Sequence, residues 1–580
     1  MDAMKSRNPR VGLYGMWALA TLGVVNSLLL VPQWIASGGL RPPWIALEAL
    51  IVVGAFLALP PRRWLQLAAW IVSALFVAIG ILLLGDATAR TSLARPLNLY
   101  LDLQLLDAVS NLLSGSLGPA MGLLVLVAGV VVAGGSFVIL AVLLETLAGV
   151  DEVRASRPAD RDGPRRRHRG TFWIGAALAV VGLAVIPLRW LHPQGVIFGL
   201  TSVQLVREQA RQAVRMVGER ARFAAEFEST PSVYAETPGL LEGLGGRDVV
   251  MAFVESYGMT VLEDQRYSPV VRPRLAAMEA RVAAAGVYMA TGSLVAPSQG
   301  GQSWLGHGSV LSGLWLENQL RYDLLLAGER GTLVDDFEAA GYSTVAIMPA
   351  ITMAWPEGER FGYDRIYAHA DIDYRGPPLN WVTMPDQFTW SFLQRAVLDD
   401  DARGEGRDGE DRDGEGRDAE GPIFAEVGLI SSHAPWTPIL PVVEAWDSVG
   451  DGTIFERWAD AGETPEELWR DSDRVRESYA LAVGYALDVL ASYAANFVDD
   501  GVLLIALGDH QPAPLITGDD APRTVPVHVF ATDSALIAPF VAWGFAEGAF
   551  PPVVDEALRM DAFRRWFVEA FSTRASASGP

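Results

Sequence analysis

Two polar clusters stand where apolar runs of the sequence end, and their residue types are those of metal ligands. Gly508-Asp509-His510 follows the apolar run Val502–Leu507, and Glu255 follows the run Arg247–Val254. Two carboxylates and an imidazole are oxygen and nitrogen donors that suit Zn²⁺ or Mn²⁺. The Gly-Asp-His triplet alone is weak evidence, because it occurs by chance in many loops. Glu255 taken alone is better explained as a solvated carboxylate at a strand end.

A third segment offers a nucleophile. Gly300-Gly301-Gln302-Ser303 precedes a partly apolar run, which predicts a glycine-rich turn leading into a helix. The backbone N–H groups and the dipole at a helix start attract an anion such as phosphate. A metal bound to the serine oxygen would activate Ser303 as a nucleophile. The simpler interpretation is that Ser303 is only a helix N-cap.

A fourth segment contributes an imidazole. His433 lies in Ser431-Ser432-His433-Ala434-Pro435, directly after the apolar run Ile423–Ile430. At such a strand end an imidazole is able to bind a phosphate or to protonate a leaving group. A structural role in the loop is an equal alternative.

The pattern of apolar residues after about Gly246 predicts how these segments come together. Strands alternate with helices, which predicts an α/β domain with a mostly parallel central sheet. In such sheets ligands bind at the carboxyl ends of the strands. The predicted strands are Arg247–Val254, Ser343–Met348, Ile423–Ile430, Val502–Leu507 and Val525–Ala531, and the predicted helices are Leu333–Ala340, Ser472–Val498 and Met560–Phe571.

The first third of the chain is predicted to lie in a membrane. Crossing a bilayer takes about 20 apolar residues, and all but the second of five apolar stretches approach this length. The second is short and contains Glu48. Together they predict an α-helical membrane domain of about five transmembrane helices over residues 1–192. The stretches are roughly Val11–Ile35, Trp44–Leu59, Trp64–Leu84, Leu117–Leu147 and Thr171–Leu191.

Basic residues between these stretches predict the orientation, because cytoplasmic loops are rich in Lys and Arg. The N-terminal tail, the second-to-third connection and the segment Asp151–Gly170 carry such residues, and all three lie on one side if every stretch spans. The N-terminus is then cytoplasmic. We therefore expect a multi-pass protein of the cytoplasmic (inner) membrane with its catalytic domain extracytoplasmic or periplasmic. The connection Asp86–Ser116 carries two arginines and fits the rule least well.

Two further segments differ in composition from their surroundings. Residues 193–235 are predicted to form a juxtamembrane amphipathic helix and a linker, since Val203–Ala224 interleaves apolar residues at helical spacing with arginines. This helix lies either on the lipid headgroups or against the next domain. Residues 236–580 form the outer domain. It contains the segment Asp399–Gly421, almost entirely Asp, Glu, Arg and Gly, which predicts a disordered insertion.

Composition excludes several classes of function. The net charge of −23 argues against a nucleic-acid-binding protein, which normally presents a basic face. The chain has no cysteine, so it has no disulfide framework, thiolate metal site or cysteine nucleophile.

The order of the motifs resembles the alkaline phosphatase and sulfatase superfamily. The closer resemblance is to its membrane-anchored branch of lipoteichoic acid synthases and phosphoglycerol transferases, which has five spans and an outer catalytic domain. The motifs that carry the resemblance are Val254-Glu255-Ser256, Gly301-Gln302-Ser303, His433-Ala434-Pro435 and Gly508-Asp509-His510. The resemblance covers most of the chain but is loose outside these motifs.

The resemblance implies roles for individual residues. Glu255, Ser303, Asp509 and His510 would hold one divalent metal ion, Mn²⁺ or Zn²⁺, and Ser303 would attack a phosphodiester and carry a covalent phospho-intermediate. Three other residues would bind substrate. They are His433, Trp355 and Arg360. His433 would contact the transferred group, and Trp355 would line the pocket. A packing aromatic is an equal alternative for Trp355.

The sequence departs from the family pattern in three places. The nucleophile is serine where the branch mostly uses threonine. Glu357 stands where the family has an arginine after the tryptophan, so either Arg360 takes that role or the bound head group differs. Val295-Ala296-Pro297-Ser298-Gln299 lacks both the oxidisable residue and the arginine of sulfatases, which argues against formylglycine chemistry.

These observations lead to a ranked set of functions. The first is a metal-dependent transferase that moves a phosphoglycerol-type or related phospho-group from a membrane phospholipid to a glycan or lipid-linked acceptor. The alternative is a sulfatase-like hydrolase of phosphate or sulfate esters. A membrane sensor or scaffold without catalysis is the third, and the intact set of candidate ligands argues against it.

Overall fold

The computed structural model describes residues 9–37, 39, 43–103, 119–149, 163–191, 197–229, 234, 237–399, 421–518, 520–554 and 556–572. The chain divides into two compact units. The first comprises Met1–Thr91 and Arg95–Val217, and the second comprises Ser92–Ala94 and Gly218–Pro580. Apart from its two end residues, the predicted insertion Asp399–Gly421 lies outside the described residues.

The first unit is helical. Its two strands, β1 (Ile45–Ala46) and β2 (Phe198–Gly199), form one short parallel pair. The helices are α1 (Pro9–Ala36), α2 (Leu47–Ala58), α3 (Trp64–Leu93), α4 (Leu99–Asp102), α5 (Pro119–Ala148), α6 (Gly163–Leu191) and α7 (Thr201–Ser229), the last of which continues into the second unit.

Three helices of the first unit, α1, α3 and α5, contain apolar segments long enough to cross a membrane. The other two predicted spans are shorter: α2 has 12 residues, and the apolar part of α6 is Thr171–Pro187. Twelve helical residues extend about 18 Å, against about 30 Å for the hydrocarbon core of a bilayer. The membrane character of this unit is therefore clear, while five full spans and their orientation stay predictions.

The short helix α2 is held in place by a glycine contact with α6 and by a buried carboxylate that binds α7. A side chain on Gly54 would meet the backbone of Gly175 in α6 at 2.6 Å, so the two helices pack backbone against backbone. Glu48 accepts hydrogen bonds from the backbone N and the Oγ of Ser202, at 2.9 and 2.8 Å. The polar residue within this apolar stretch therefore binds the N-terminal turn of α7.

The second unit contains a nine-stranded sheet, and its strands run mostly parallel, as predicted. The order is β10-β4-β9-β8-β3-β7-β5-β6, with β11 beside β4. Only β9 and β10 run antiparallel to their neighbours. The strands are β3 (Asp248–Val254), β4 (Tyr288–Val295), β5 (Ser343–Met348), β6 (Arg365–Ala368), β7 (Ile423–Leu429), β8 (Val502–Gly508), β9 (Thr524–Ala531), β10 (Ala546–Glu547) and β11 (Leu558–Arg559).

Helices cover both faces of this sheet. Alternate residues of β3 belong to two separate apolar cores, with Val250 and Ala252 in one and Met251 and Phe253 in the other. The helices are α8 (Thr260–Glu263), α9 (Ser268–Ala284), α10 (Ser303–Ser312), α11 (Gln319–Ala327), α12 (Leu333–Ala339), α13 (Pro356–Phe361), α14 (Asp386–Leu393), α15 (Pro465–Leu468), α16 (Ser472–Phe497), α17 (Pro514–Thr517), α18 (Ser534–Ala542) and α19 (Phe563–Phe571).

Helix α16 also has the length and apolar composition of a membrane span, but 72% of its apolar segment is buried within the protein. Tyr479, Val483 and Leu490 belong to one of the two sheet cores. Its hydrophobicity is therefore that of an interior helix, as the predicted alternation of strands and helices requires.

The register of the central strands places the candidate ligands at one edge. In parallel pairing, Val254 of β3 lies opposite Leu429 of β7 and Gly508 of β8. The residues that follow these three positions, among them Glu255 and Asp509, must therefore emerge together at the carboxyl edge of the sheet. Both faces of β3 and β8 are buried, which explains their nearly continuous apolar sequences.

We predict that Gly508→Ala destabilises the outer domain. A Cβ at this position would lie 1.9 Å from the backbone carbonyl oxygen of Tyr257, which has no flexible end to move. Overpacking of this kind costs about 1–3 kcal/mol. The measurement is the denaturation midpoint of the purified protein. The control is Gly428→Ala on the neighbouring strand β7, where the nearest atom is the mobile Met348 Sδ at 3.3 Å; equal midpoints for the two variants would contradict the prediction.

Candidate metal centre

Three of the predicted ligands form one buried cluster. Glu255, Asp509 and His510 each offer a ligand atom, and these atoms all lie within 4.8 Å of one another. His510 Nε2 is 3.5 Å from Glu255 Oε1 and 3.7 Å from Asp509 Oδ2. All three residues are at least nine-tenths buried. The structure therefore brings together groups that are about 250 residues apart in the sequence and meet only through the pairing of β3 with β8.

The backbone around the strand ends fixes the two carboxylates. Asp509 Oδ1 accepts hydrogen bonds from the backbone N–H groups of Ser256 and His510, at 2.8 and 2.6 Å. Ser256 has a left-handed backbone, with φ of 53°, and its hydroxyl donates to Glu255 Oε1 at 2.7 Å. A non-glycine residue in this conformation is strained and persists where its surroundings hold it in place. The carboxylates are thus positioned before any ligand binds.

The orientation of His510 leaves one ring nitrogen facing the carboxylates. Its Nδ1 lies 2.9 Å from the carbonyl oxygen of Gln511, and because a carbonyl only accepts, Nδ1 carries the hydrogen. The neutral ring then has its lone pair on Nε2. This Nε2 is buried and has no hydrogen-bond partner in the described part of the chain. A buried nitrogen without a partner, beside two carboxylates, fits a metal ligand whose orientation is set by a backbone carbonyl.

The electrostatics of the cluster favour a bound cation. Burial raises the pKa of Asp509, and the adjacent Glu255 carboxylate raises it further. Burial also acts to raise the pKa of Glu255, but the charges of His510 and then His433 hold it below its ordinary value. Burial acts to lower the pKa of His510, yet Asp509 and Glu255 raise it. The buried carboxylates thus depend on nearby positive charge, which a divalent ion would supply.

Ser303 lies beside this cluster at the start of α10. Its Oγ is 3.4 Å from Glu255 Oε2, to which it donates a hydrogen bond. Gly300, Gly301 and Gln302 all have positive φ, at 74°, 141° and 64°, so the chain turns sharply into the helix. The N-cap residue is Gln302, and Ser303 is the first helical residue. The serine is therefore not the N-cap, and its hydroxyl is directed to the candidate ligands instead.

The donor set fits one divalent ion. Two carboxylates, an imidazole with its lone pair free and a serine hydroxyl form an oxygen-rich set of four donors, as Zn²⁺ or Mn²⁺ accepts. The identity of the ion and the coordination by Ser303 remain predictions.

His433 lies close enough to this cluster for its charge to lower the pKa of Glu255, against the effect of burial. Its ring stacks on Trp381, with centroids 3.6 Å apart and planes 16° apart. Its Nδ1 is 2.6 Å from the carbonyl oxygen of Ala434. The orientation of the imidazole is therefore fixed by its own loop and by the ring of Trp381. Its contact with substrate stays a prediction.

Trp355 and Arg360 occupy a different environment. Trp355 is the residue before α13, and its ring covers Gly358. The guanidinium of Arg360 donates hydrogen bonds to the carbonyl oxygens of Leu326, Gly328 and Arg330. Among the described residues, neither is hydrogen-bonded to the four candidate metal ligands. Their assignment to substrate binding stays a prediction, and the contacts of Arg360 are those of a structural residue.

Two groups beside the site were not identified from the sequence. One is Trp381, which covers His433. The other is His307, which is hydrogen-bonded to the buried carboxylate of Glu426. A signal was present for the second, since His307 follows Ser303 by one helical turn and Glu426 is the one charged residue in the apolar strand β7.

Comparison with known proteins gives distant structural likenesses. No family model and no curated protein matches the sequence. Among solved structures, the lipoteichoic acid synthase LtaP from Listeria monocytogenes is 12% identical with a TM-score of 0.33, and the match covers 49% of this chain and 65%, less than two thirds, of that chain.

Two further structures are similar at the same level. The C-terminal periplasmic domain of EptC from Escherichia coli, in complex with Zn, is 14% identical with a TM-score of 0.34, over 56% of this chain and 82% of that chain. The Streptococcus pyogenes phosphoglycerol transferase GacH, in complex with sn-glycerol-1-phosphate, is 12% identical with a TM-score of 0.36, over 62% of this chain and 88% of that chain.

We predict that the purified protein binds about one divalent ion per chain and that Asp509→Asn reduces this occupancy at least tenfold, since removing one of a few charged ligands weakens a metal site strongly. The measurement is metal content by mass spectrometry after dialysis. The matched control is His433→Gln, which alters a nearby imidazole outside the ligand cluster and should keep the metal. Equal occupancy in the wild type and Asp509→Asn would show that these residues are not the ligands.

Proposed function

We propose that the chain is a metal-dependent transferase that moves a phosphoglycerol-type group from a membrane phospholipid to an acceptor outside the cytoplasmic membrane. The observation that carries this proposal is the placement of Ser303. Its hydroxyl lies at the first residue of α10 and donates to Glu255, within a cluster of buried metal-ligand residues. A hydroxyl nucleophile, a candidate metal site that would activate it and a helix N-terminus that binds anions together support phosphoryl transfer through a serine.

Each residue then has a defined task. Glu255, Asp509, His510 and Ser303 would hold the ion. A bound divalent ion lowers the pKa of a coordinated hydroxyl and neutralises charge on a phosphoryl group. Glu255 orients the hydroxyl, because it accepts the Ser303 hydrogen bond through Oε2. Backbone N–H groups at the start of α10 would face an incoming phosphate.

The reaction consists of two displacements. In the first, Ser303 Oγ loses its proton and forms a bond to phosphorus, the bond from phosphorus to the lipid oxygen breaks, and that oxygen takes up a proton. In the second, an acceptor hydroxyl loses its proton and attacks the phosphoserine, and Ser303 Oγ recovers a proton as it leaves. His433 would contact the transferred group or supply a proton to a leaving oxygen.

The membrane helices support a lipid as the donor. Helices α1, α3 and α5 contain apolar segments of spanning length in the same chain as the α/β domain. A catalytic domain tethered in this way stays near the headgroups, which raises the local concentration of a phospholipid over that of a soluble ester. The acceptor is a glycan or a lipid-linked molecule at the same surface.

We expect Ser303→Ala to abolish turnover of a phosphodiester, to below about one thousandth of the wild-type rate, since the covalent route begins with attack by this hydroxyl. Ser303→Thr keeps a hydroxyl at the same place and should keep measurable activity. The measurement combines the rate on bis(p-nitrophenyl) phosphate with mass spectrometry of the acid-quenched enzyme for a phosphorylated Ser303. Full activity of Ser303→Ala would exclude the covalent route.

The fate of the phospho-group separates a transferase from a hydrolase. With vesicles of phospholipid labelled in the head group, we expect the label to appear on an added envelope acceptor, because the covalent intermediate persists until an alcohol attacks it. Thin-layer chromatography of the products measures this transfer. Release of free glycerol phosphate alone, at the same rate with and without acceptor, would identify a hydrolase instead.

A further inference from the structure

Helix α10 carries a second group of chemical interest besides the proposed nucleophile. His307 follows Ser303 by four residues, so both side chains lie on the same face of the helix. Helical side chains lean toward the N-terminus, which directs the ring of His307 toward the turn that begins with Ser303. The ring lies flat on Phe253 of β3, with centroids 3.8 Å apart and planes 16° apart. Phe253 stands two residues before Glu255, so the imidazole is held over the strand that ends in the metal site.

A buried carboxylate holds this imidazole. Glu426 lies in the central strand β7 with 1% of its surface exposed, a rare place for a charged residue unless it has partners. Its Oε1 is 2.8 Å from His307 Nδ1, and its Oε2 accepts a hydrogen bond from the Tyr363 hydroxyl. Both carboxylate oxygens are therefore used. The arrangement orients His307 in the way that carboxylates orient catalytic and metal-binding histidines.

The edge of the ring that carries Nε2 is turned away from Glu426. The Nδ1 edge is directed to Glu426, whose side chain is 2% exposed, whereas the side chain of His307 is 18% exposed. Within the described residues no side chain or backbone group forms a hydrogen bond with this Nε2.

We propose that His307 is a further catalytic residue, which as an imidazolium keeps its Nδ1–H on Glu426 and donates a hydrogen bond from Nε2 to an oxygen of the phosphoryl group bound at Ser303. Glu426 and Tyr363 are positioning residues, since they fix the ring without reaching the substrate. The ligand class is a phosphate ester or inorganic phosphate. The catalytic part of the proposal rests on the function proposed above, whereas the binding of a phosphate oxygen is independent of which reaction follows.

A pair of substitutions separates this role from a structural one. In His307→Asn, the amide nitrogen stands near the position of Nδ1, so the bond to Glu426 is kept and the ε nitrogen is lost. In His307→Gln, the amide nitrogen stands near the position of Nε2, so the outward donor is kept and the bond to Glu426 is weakened. A catalytic role predicts that Gln is the better replacement, and a structural role predicts that Asn is.

The experiment measures binding of inorganic phosphate to the full-length, Mn²⁺-loaded protein in detergent, by calorimetry, together with metal content and kcat/KM on vesicles of fluorescent phosphatidylglycerol. Losing a hydrogen bond to a charged group should weaken phosphate binding about tenfold or more in His307→Asn, and less than about threefold in His307→Gln. Metal content should stay equal in both. Wild-type affinity in His307→Asn, or a loss in His307→Gln as large as in His307→Asn, would overturn the proposal.

Tyr363→Phe tests the proposal if His307→Asn does not fold. This variant keeps the aromatic ring and removes only the hydroxyl that holds Glu426. Phosphate binding should weaken severalfold with an unchanged melting temperature, and unchanged binding would overturn the proposal.

A different result would show that the proposed function is wrong. A wild type that binds phosphate and does not turn over phosphatidylglycerol would refute the transferase, while the comparison of Asn with Gln at position 307 would still decide the role of His307.

Discussion

Two carboxylates buried side by side at the end of a sheet are the constraint on which the rest of the outer domain depends. Glu255 and Asp509 follow paired residues of two neighbouring parallel strands, so the fold cannot separate them. Like charges in a buried place are costly unless a cation is near. Among the described residues Nε2 of His510 has no hydrogen-bond partner, and it lies 3.5 Å from Glu255, so it marks where a metal ion would supply that charge. The left-handed Ser256 and the side-chain-free Gly508 allow the backbone to approach closely enough to hold both carboxylates.

The parts of this architecture that depend on local pattern could be predicted from the sequence. Runs such as Val502–Leu507 are apolar on both faces, and the observed strand β8 extends one residue further. The strand β4 was missed, because Gly292 and Ser293 interrupt its apolar character and its pairing with β9 depends on distant residues. The closing helix α19 begins at Phe563 rather than Met560, since Met560–Ala562 forms a separate 3₁₀ turn.

In the candidate site, too, the residues set by local sequence pattern could be predicted and the long-range contacts could not. Glu255, Ser303, Asp509 and His510 stand at strand ends or a helix start, where sequence patterns are strongest, and the structure places the three ligands in one cluster with Ser303 beside it. The link between His307 and Glu426 joins a helix to a strand more than 100 residues later, and no local pattern encodes such a contact. The contacts of Arg360 are equally non-local, because its guanidinium binds carbonyl groups at the end of α11.

The strand ends and helix α10 have different roles in the candidate site, and these roles follow from the rigidity of each element. The ends of β3 and β8 carry the candidate metal ligands, whose separation would have to stay fixed, and paired central strands are the least deformable part of a sheet. Helix α10 carries the Ser303 hydroxyl and the His307 imidazole, which in the proposed reaction would meet a substrate. It presents them four residues apart on one face, near its N-terminus. Because Phe253 of β3 stacks on His307, the helix is aligned against the same strand that ends in Glu255. A shift of α10 would therefore move Ser303 and His307 together relative to the ligands, so the distance between nucleophile and metal site is set by packing on the sheet rather than by the loop that precedes the helix.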